Sequence, residues 1–128
     1  METANVHRPI PDFRPSTPSV TSSSFDDVLR SYHIVIVHFW AVWNGADPPM
    51  DSTLCDLRER FPAETHIVSC DVDDADCAPL AKSSGVVNVP WLSVYVDAER
   101  RGHICGLREP DELLAAITDL ISPSVSNP

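Results

Sequence analysis

The chain has 128 residues, 43% of them hydrophobic, which suits one domain with a real core and is too apolar for a chain disordered throughout. Its formal net charge is -10, from 19 Asp and Glu against 9 Lys and Arg. Such acidity repels phosphate backbones and anionic headgroups, so neither nucleic acid nor a membrane surface is expected as a partner, and no apolar run approaches the ~20 residues of a bilayer-crossing helix.

Residues 1–19 carry Pro9, Pro11, Pro15 and Pro18 among Ser and Thr and read as a flexible, partly extended tail. One P-x-x-P spacing, Pro15 to Pro18, could suit a proline-recognising domain, but a solvated tail is the expected role. No basic start followed by an apolar stretch is present, so no secretory signal is read. Cys55, Cys70, Cys77 and Cys105 include no Cys-x-x-Cys spacing and are expected as reduced thiols in a cytoplasmic protein.

The folded domain is predicted over residues 20–121, with 122–128 as a second short tail. Ser22-Ser23-Ser24 supplies a cap for a helix in which Phe25, Val28, Leu29 and Tyr32 recur at helical spacing. Ile34 to Val42 is an apolar, β-branched run interrupted by His38, the pattern of a central strand buried on both faces. Met50, Leu54, Leu57 and Phe61 form a helical stripe stopped by Pro62. His66 to Val72 is a second strand, and a short helix from about Ala75 to Ser84 ends near Gly85. Trp91 to Val96 and His103 to Leu107 are strands joined by a polar turn containing Gly102. Glu109-Pro110-Asp111 opens a last helix with Leu113, Leu114, Ile117, Leu120 and Ile121 inward. The order is αβαβαββα, with room for a short extra strand near Val20. It predicts an α/β domain ending in a hairpin, and hence a mixed sheet.

Four motifs then fall in order. Phe39-Trp40-Ala41-Val42-Trp43 resembles the thioredoxin signature Phe-Trp-Ala-x-Trp. Cys70 to Asp74 resembles the end of the next thioredoxin strand, closest to the eukaryotic type. Gly85 to Pro90 is similar to the Gly-Val-x-x-Val-Pro segment that carries that family's cis-proline, and Gly106-Leu107 fits its last strand. The resemblance covers about 100 residues and implies a three-layer α/β/α fold around a mixed sheet of four to five strands. Under it, the family's Cys-Gly-Pro-Cys falls on Asn44-Gly45-Ala46-Asp47. Disulfide exchange needs an attacking thiolate and a resolving thiol, and an amide and a carboxylate supply neither. The family's buried carboxylate falls on His38, the lysine often paired with it on Ser69, and the threonine after the cis-proline on Trp91.

The replaced segment has its own local reading. Asp47 is expected as the cap of a helix beginning at Pro48, about one turn later than the resemblance would place it, with its carboxylate accepting the Met50 N–H. Asp71, Asp73, Asp74 and Asp76 suggest a calcium loop, but Asp76 stands where a glycine belongs and Lys82 where a glutamate does, so a solvated turn and no metal are expected. His38 is read as a neutral, hydrogen-bonded core histidine and Trp40 as core. Cys70 is expected to face the core and Cys55 to be half-buried. Cys77, at a helix start, is the candidate reactive thiol because a lowered pKa is possible there.

Three functions follow as expectations. The first is a redox-inactive module that binds a protein or extended peptide in a groove of Trp43, Asn44 to Asp47, Val89, Pro90 and Trp91, with Trp43 and Trp91 as an exposed aromatic patch. It needs no cofactor, and dithiol catalysis of the usual kind is not expected of it. The alternative is a thiol–disulfide oxidoreductase or redox sensor acting through a remaining cysteine such as Cys77. A structural subunit tethered by the Pro-rich tail is a third idea.

Overall fold

The computed structural model describes residues 13–122. Pro9 and Pro11 of the predicted tail, and the predicted tail beyond Ser122, lie outside the described residues. Between those limits the order is α1 (Phe25–Ser31), β1 (Ile34–Trp40), α2 (Asp47–Leu57), a 3-10 turn (Arg58–Arg60), β2 (Thr65–Asp71), α3 (Ala78–Ser83), β3 (Trp91–Val96), β4 (Glu99–Cys105) and α4 (Pro110–Ile121).

The strands form one sheet in the order β2-β1-β3-β4. β1 pairs parallel with β2 and antiparallel with β3, and β3 pairs antiparallel with β4. Every residue of β1 is buried, as its continuous apolar run requires of a strand covered on both faces. Alternate residues feed two cores. Val35, Val37 and Phe39 meet Val68, Leu80, Ala81 and the apolar side of α1. Ile36 meets Met50, Leu54, Leu57, Leu113 and Ile117, from α2 and α4. The fold is therefore three layers, α1 and α3 on one face of a mixed four-stranded sheet and α2 and α4 on the other.

Two expectations need correction. The last hairpin turns at Asp97-Ala98, both at positive φ (54° and 68°), so β4 begins at Glu99 rather than His103. Gly102 lies inside the strand. A Cβ there would sit 2.8 Å from Cδ2 of Leu120, so the glycine serves the close approach of α4 and not a turn. The second concerns the segment before Val20. Phe13 meets the Trp40 ring edge-on at 5.4 Å. Ser16 donates from its N–H and hydroxyl to Asp51 Oδ1 at 3.0 and 3.2 Å. Ser69 N–H donates to Pro18 O, and Val20 N–H to Ser69 O, both at 2.8 Å. Residues 13–19 therefore run as a strap along the outer edge of β2, with one parallel bridge at Ser19–Ser69 in place of a full extra strand. The Pro15 to Pro18 spacing lies within this strap.

Candidate functional site

The site is built where β1 leaves the sheet. Trp40 ends the strand, and the backbone turns through Ala41–Ala46 with Asn44 N–H donating to Ala41 O and Asp47 N–H to Asn44 O. Helix α2 starts at Asp47, with Pro48 and Pro49 in its first turn, where missing N–H groups leave no bond broken. Ala46, not Asp47, holds the capping position, and the Met50 N–H goes to Ala46 O at 3.1 Å. The expected cap is thus overturned, because the Asp47 side chain points inward instead.

That side chain is fully buried. Oδ1 lies 2.8 Å from His38 Nε2, and Oδ2 accepts from the Ala41 N–H and from Asn44 Nδ2, both at 3.0 Å. His38 is also fully buried, and its Nδ1 has no partner among the described residues. With a carboxylate as acceptor, Nε2 carries the proton. The arrangement is a closed lock. A strand histidine, a helix-start carboxylate and two loop donors fix the turn from 41 to 47. Its chemistry is structural, since both polar partners are sealed from solvent. The sequence marked His38 as hydrogen-bonded but did not name Asp47 as its partner. The signal available was that two buried ionisable groups nine residues apart, flanking a turn, must satisfy each other.

Beside the lock, Trp43 is 56% exposed and its Nε1–H donates to Asp73 Oδ2 at 2.7 Å. It borders a hollow of about 340 Å³ lined also by Val72, Lys82, Val86, Val87 and Val89. The volume lies at the small end of the ~300–1,000 Å³ range of ligand pockets. The Val89–Pro90 peptide is cis. Pro90 is buried, and its carbonyl accepts the Gly106 N–H at 2.9 Å. Trp43 and Val89 therefore meet, as the sequence suggested. Trp91 does not join them: it is buried at 5% exposure, stacked on His103 at 4.1 Å, with its Nε1–H on Ser93 Oγ. As the first residue of a strand buried on both faces, it faces the sheet rather than the solvent. The expected Trp43–Trp91 patch is corrected to Trp43 with valines 72, 86, 87 and 89, of which only Val89 was anticipated.

The thiols differ from expectation too. Cys77 caps α3 but is buried, with its Sγ–H directed at Val20 O. Burial pushes its thiol up, so the expected low-pKa helix-start cysteine is overturned. Burial raises Cys70 much further, with the neighbouring Cys77 thiol adding to it. Cys55 is exposed rather than half-buried, because it faces outward beside the Met50–Leu54–Leu57 stripe. The carboxylates of the acidic turn are engaged: Asp71 accepts the Asp73 N–H, Asp74 accepts the Asp76 N–H, and Asp73 holds Trp43. Among the described residues there is no group of three or more His, Cys, Asp or Glu able to hold a metal ion, and no helix long and apolar enough to cross a membrane.

The raised thiols imply an alkaline limit. Above pH ~9 the unfolded chain releases protons that folded Cys70 and Cys77 retain, so stability falls as pH rises. A limiting slope of about 1.4 kcal/mol per pH unit is expected from Cys70 in denaturant titrations between pH 9 and 11, with Cys77 acting in the same direction. Cys70→Ala should flatten that limb; an unchanged slope would contradict the assignment.

A parallel β1–β2 pair with antiparallel β3 and β4, helices on both faces and a cis X-Pro peptide immediately before β3 defines a thioredoxin-fold domain. The thioredoxin family profile matches residues 16–119, so the chain belongs to the thioredoxin family. It is 31% identical to a thioredoxin of Staphylococcus saprophyticus over 100 residues, 78% of this chain and 92% of that one. It is 29% identical to a thioredoxin of Mycobacterium tuberculosis over 107 residues, 83% of this chain and 90% of that one. Among solved structures it is similar to mitochondrial thioredoxin 3 of Saccharomyces cerevisiae in its oxidised form, with a TM-score of 0.72 and 27% identity, covering 81% of this chain and 95% of that one.

Proposed function

We propose that this thioredoxin-family chain is a cytoplasmic protein-binding module that does not run dithiol–disulfide exchange, and that it takes an extended peptide into the hollow beside Trp43 and the cis Val89–Pro90 peptide. One observation carries the reading. The turn from β1 into α2 holds Asn44, Gly45, Ala46 and Asp47, without a thiol, and Asp47 is sealed in a hydrogen-bonded lock with His38. The apolar hollow does not depend on a thiol and supports recognition without chemistry.

The names of the relatives favour a second reading, a disulfide oxidoreductase. It would need one of the four remaining cysteines, and Cys70 and Cys77 are buried with raised pKa values. Catalysed reduction of a model protein disulfide with dithiothreitol as electron donor separates the two. The expected result is no rate above the uncatalysed background. A clear rate that vanishes in a single Cys→Ser variant, at Cys55, Cys77 or Cys105, would overturn the binding module.

A further inference from the structure

The hollow beside Trp43 is apolar along its walls and charged at one end. Val72, Val86, Val87 and Val89 line it together with the indole. The Val89 N–H is already held by Asn88 Oδ1 at 3.0 Å, so less of the recognition there can run through backbone and more falls to side chains. An extended segment that places one apolar side chain in the hollow leaves its neighbouring residues at the rim, because successive side chains leave such a segment on opposite sides.

The rim has a sign. Asp73 is exposed, and its Oδ2 accepts the Trp43 Nε1–H at 2.7 Å, which fixes the carboxylate at the edge of the indole. Its second oxygen, Oδ1, accepts no hydrogen bond from the described residues. The Asp73 N–H donates to Asp71 Oδ1 at 2.9 Å, and the Asp76 N–H to Asp74 Oδ1 at 2.8 Å. The turn that follows Val72 thus gathers four carboxylates, Asp71, Asp73, Asp74 and Asp76, in six residues. One cation, Lys82 of α3, lines the hollow in return, and the segment from Val86 to Pro90 has no charged residue.

We propose, on the reading that the hollow is a peptide site, that it selects extended peptides in which a lysine or arginine lies within two positions of an apolar residue. The apolar side chain enters among the valines, and the cation meets Asp73 Oδ1 at the rim. There it gains a charge-assisted hydrogen bond and the field of the three acidic neighbours. A carboxylate in the same place meets four like charges. An exposed ion pair changes affinity only about two- to fivefold, and its field is screened over ~8 Å at physiological ionic strength. The apolar contact therefore supplies most of the affinity, and the rim charge decides between peptides that share it.

The test selects binders of the full chain from a random heptapeptide display library, once with wild type and once with Trp43→Ala. Sequences enriched by the first and lost with the second bind the hollow. They are expected to carry Lys or Arg within two positions of an apolar residue more often than the starting library does. A chain of net charge -10 attracts any cation, so a control for general charge is needed. The leading peptide is therefore titrated at low salt against wild type, Asp73→Asn and Asp119→Asn. Asp119 is exposed on α4, across the sheet from α3, and its change removes the same charge. Asp73→Asn keeps an oxygen for the indole N–H and should weaken binding about three- to fivefold, a loss that shrinks as salt rises. Asp119→Asn should change it little. Hollow binders with neutral or acidic flanks, no loss in Asp73→Asn, or equal losses in the two variants would overturn the cation preference and leave the peptide site standing. A selection in which no sequence depends on Trp43 would overturn both.

Discussion

Asp47→Ala is expected to destabilise the domain by about 3–5 kcal/mol, a large part of the ~5–15 kcal/mol that holds a typical domain together. The reason lies in what the change leaves behind. His38 Nε2, the Ala41 N–H and Asn44 Nδ2 all direct their protons at the Asp47 carboxylate. Because His38 and Asp47 have no exposed surface, water cannot step in as the replacement acceptor. Asp47→Asn should cost less, since it keeps a carbonyl oxygen for one or two of the donors. Denaturant unfolding of the wild-type, Ala and Asn proteins checks both statements. A loss below about 1 kcal/mol for the Ala variant would mean that the turn rearranges to let solvent in and that no lock exists.

Trp43→Ala should do the opposite, with little effect on stability and a large one on binding. More than half of the Trp43 surface is exposed, and its hydrogen bond to Asp73 lies in solvent, where such a bond contributes at most about 1 kcal/mol. In the hollow, however, the indole is the largest apolar wall, flanked by Val72, Val86, Val87 and Val89. Aromatic anchors of this kind supply about 2 kcal/mol or more on truncation, roughly thirtyfold in affinity. The measurement uses a peptide selected for binding from a display library and titrated against wild type and variant by calorimetry. Equal affinities would place the peptide elsewhere on the surface and remove the hollow from the argument.

The sequence and the structure agree most closely where a pattern has one physical cause. Ile34 to Trp40 reads as a central strand because only a strand covered on both faces tolerates such a run, and all seven residues are buried. The Met50–Leu54–Leu57 stripe and the helix opened by Pro110 are equally direct, since helical spacing aims one face at the core. Agreement fails where one residue type serves two purposes. Gly102 looked like a turn residue, and its actual cause is Leu120 of α4 packed closely over it, a contact invisible along the chain. Asp47 before two prolines has the signature of a cap, but a buried histidine nine residues earlier draws it inward. Position along the chain alone reads Trp91 as part of an exposed patch and Cys77 as a reactive helix-start thiol. Their burial is decided by His103 and Val20, which arrive from distant segments. The strap was hidden for a related reason. Its composition is that of a tail, and only the unpaired edge of β2 makes it worth ordering.

The turn from 41 to 47 is fixed by hydrogen bonds among amide, imidazole and carboxylate groups, and it contains no sulfur. Such a turn has one covalent state. No thiol–disulfide exchange can open or close it. The shape it holds for Trp43 therefore does not depend on any thiol–disulfide couple, and under the proposed function neither would the grip of the hollow on its peptide.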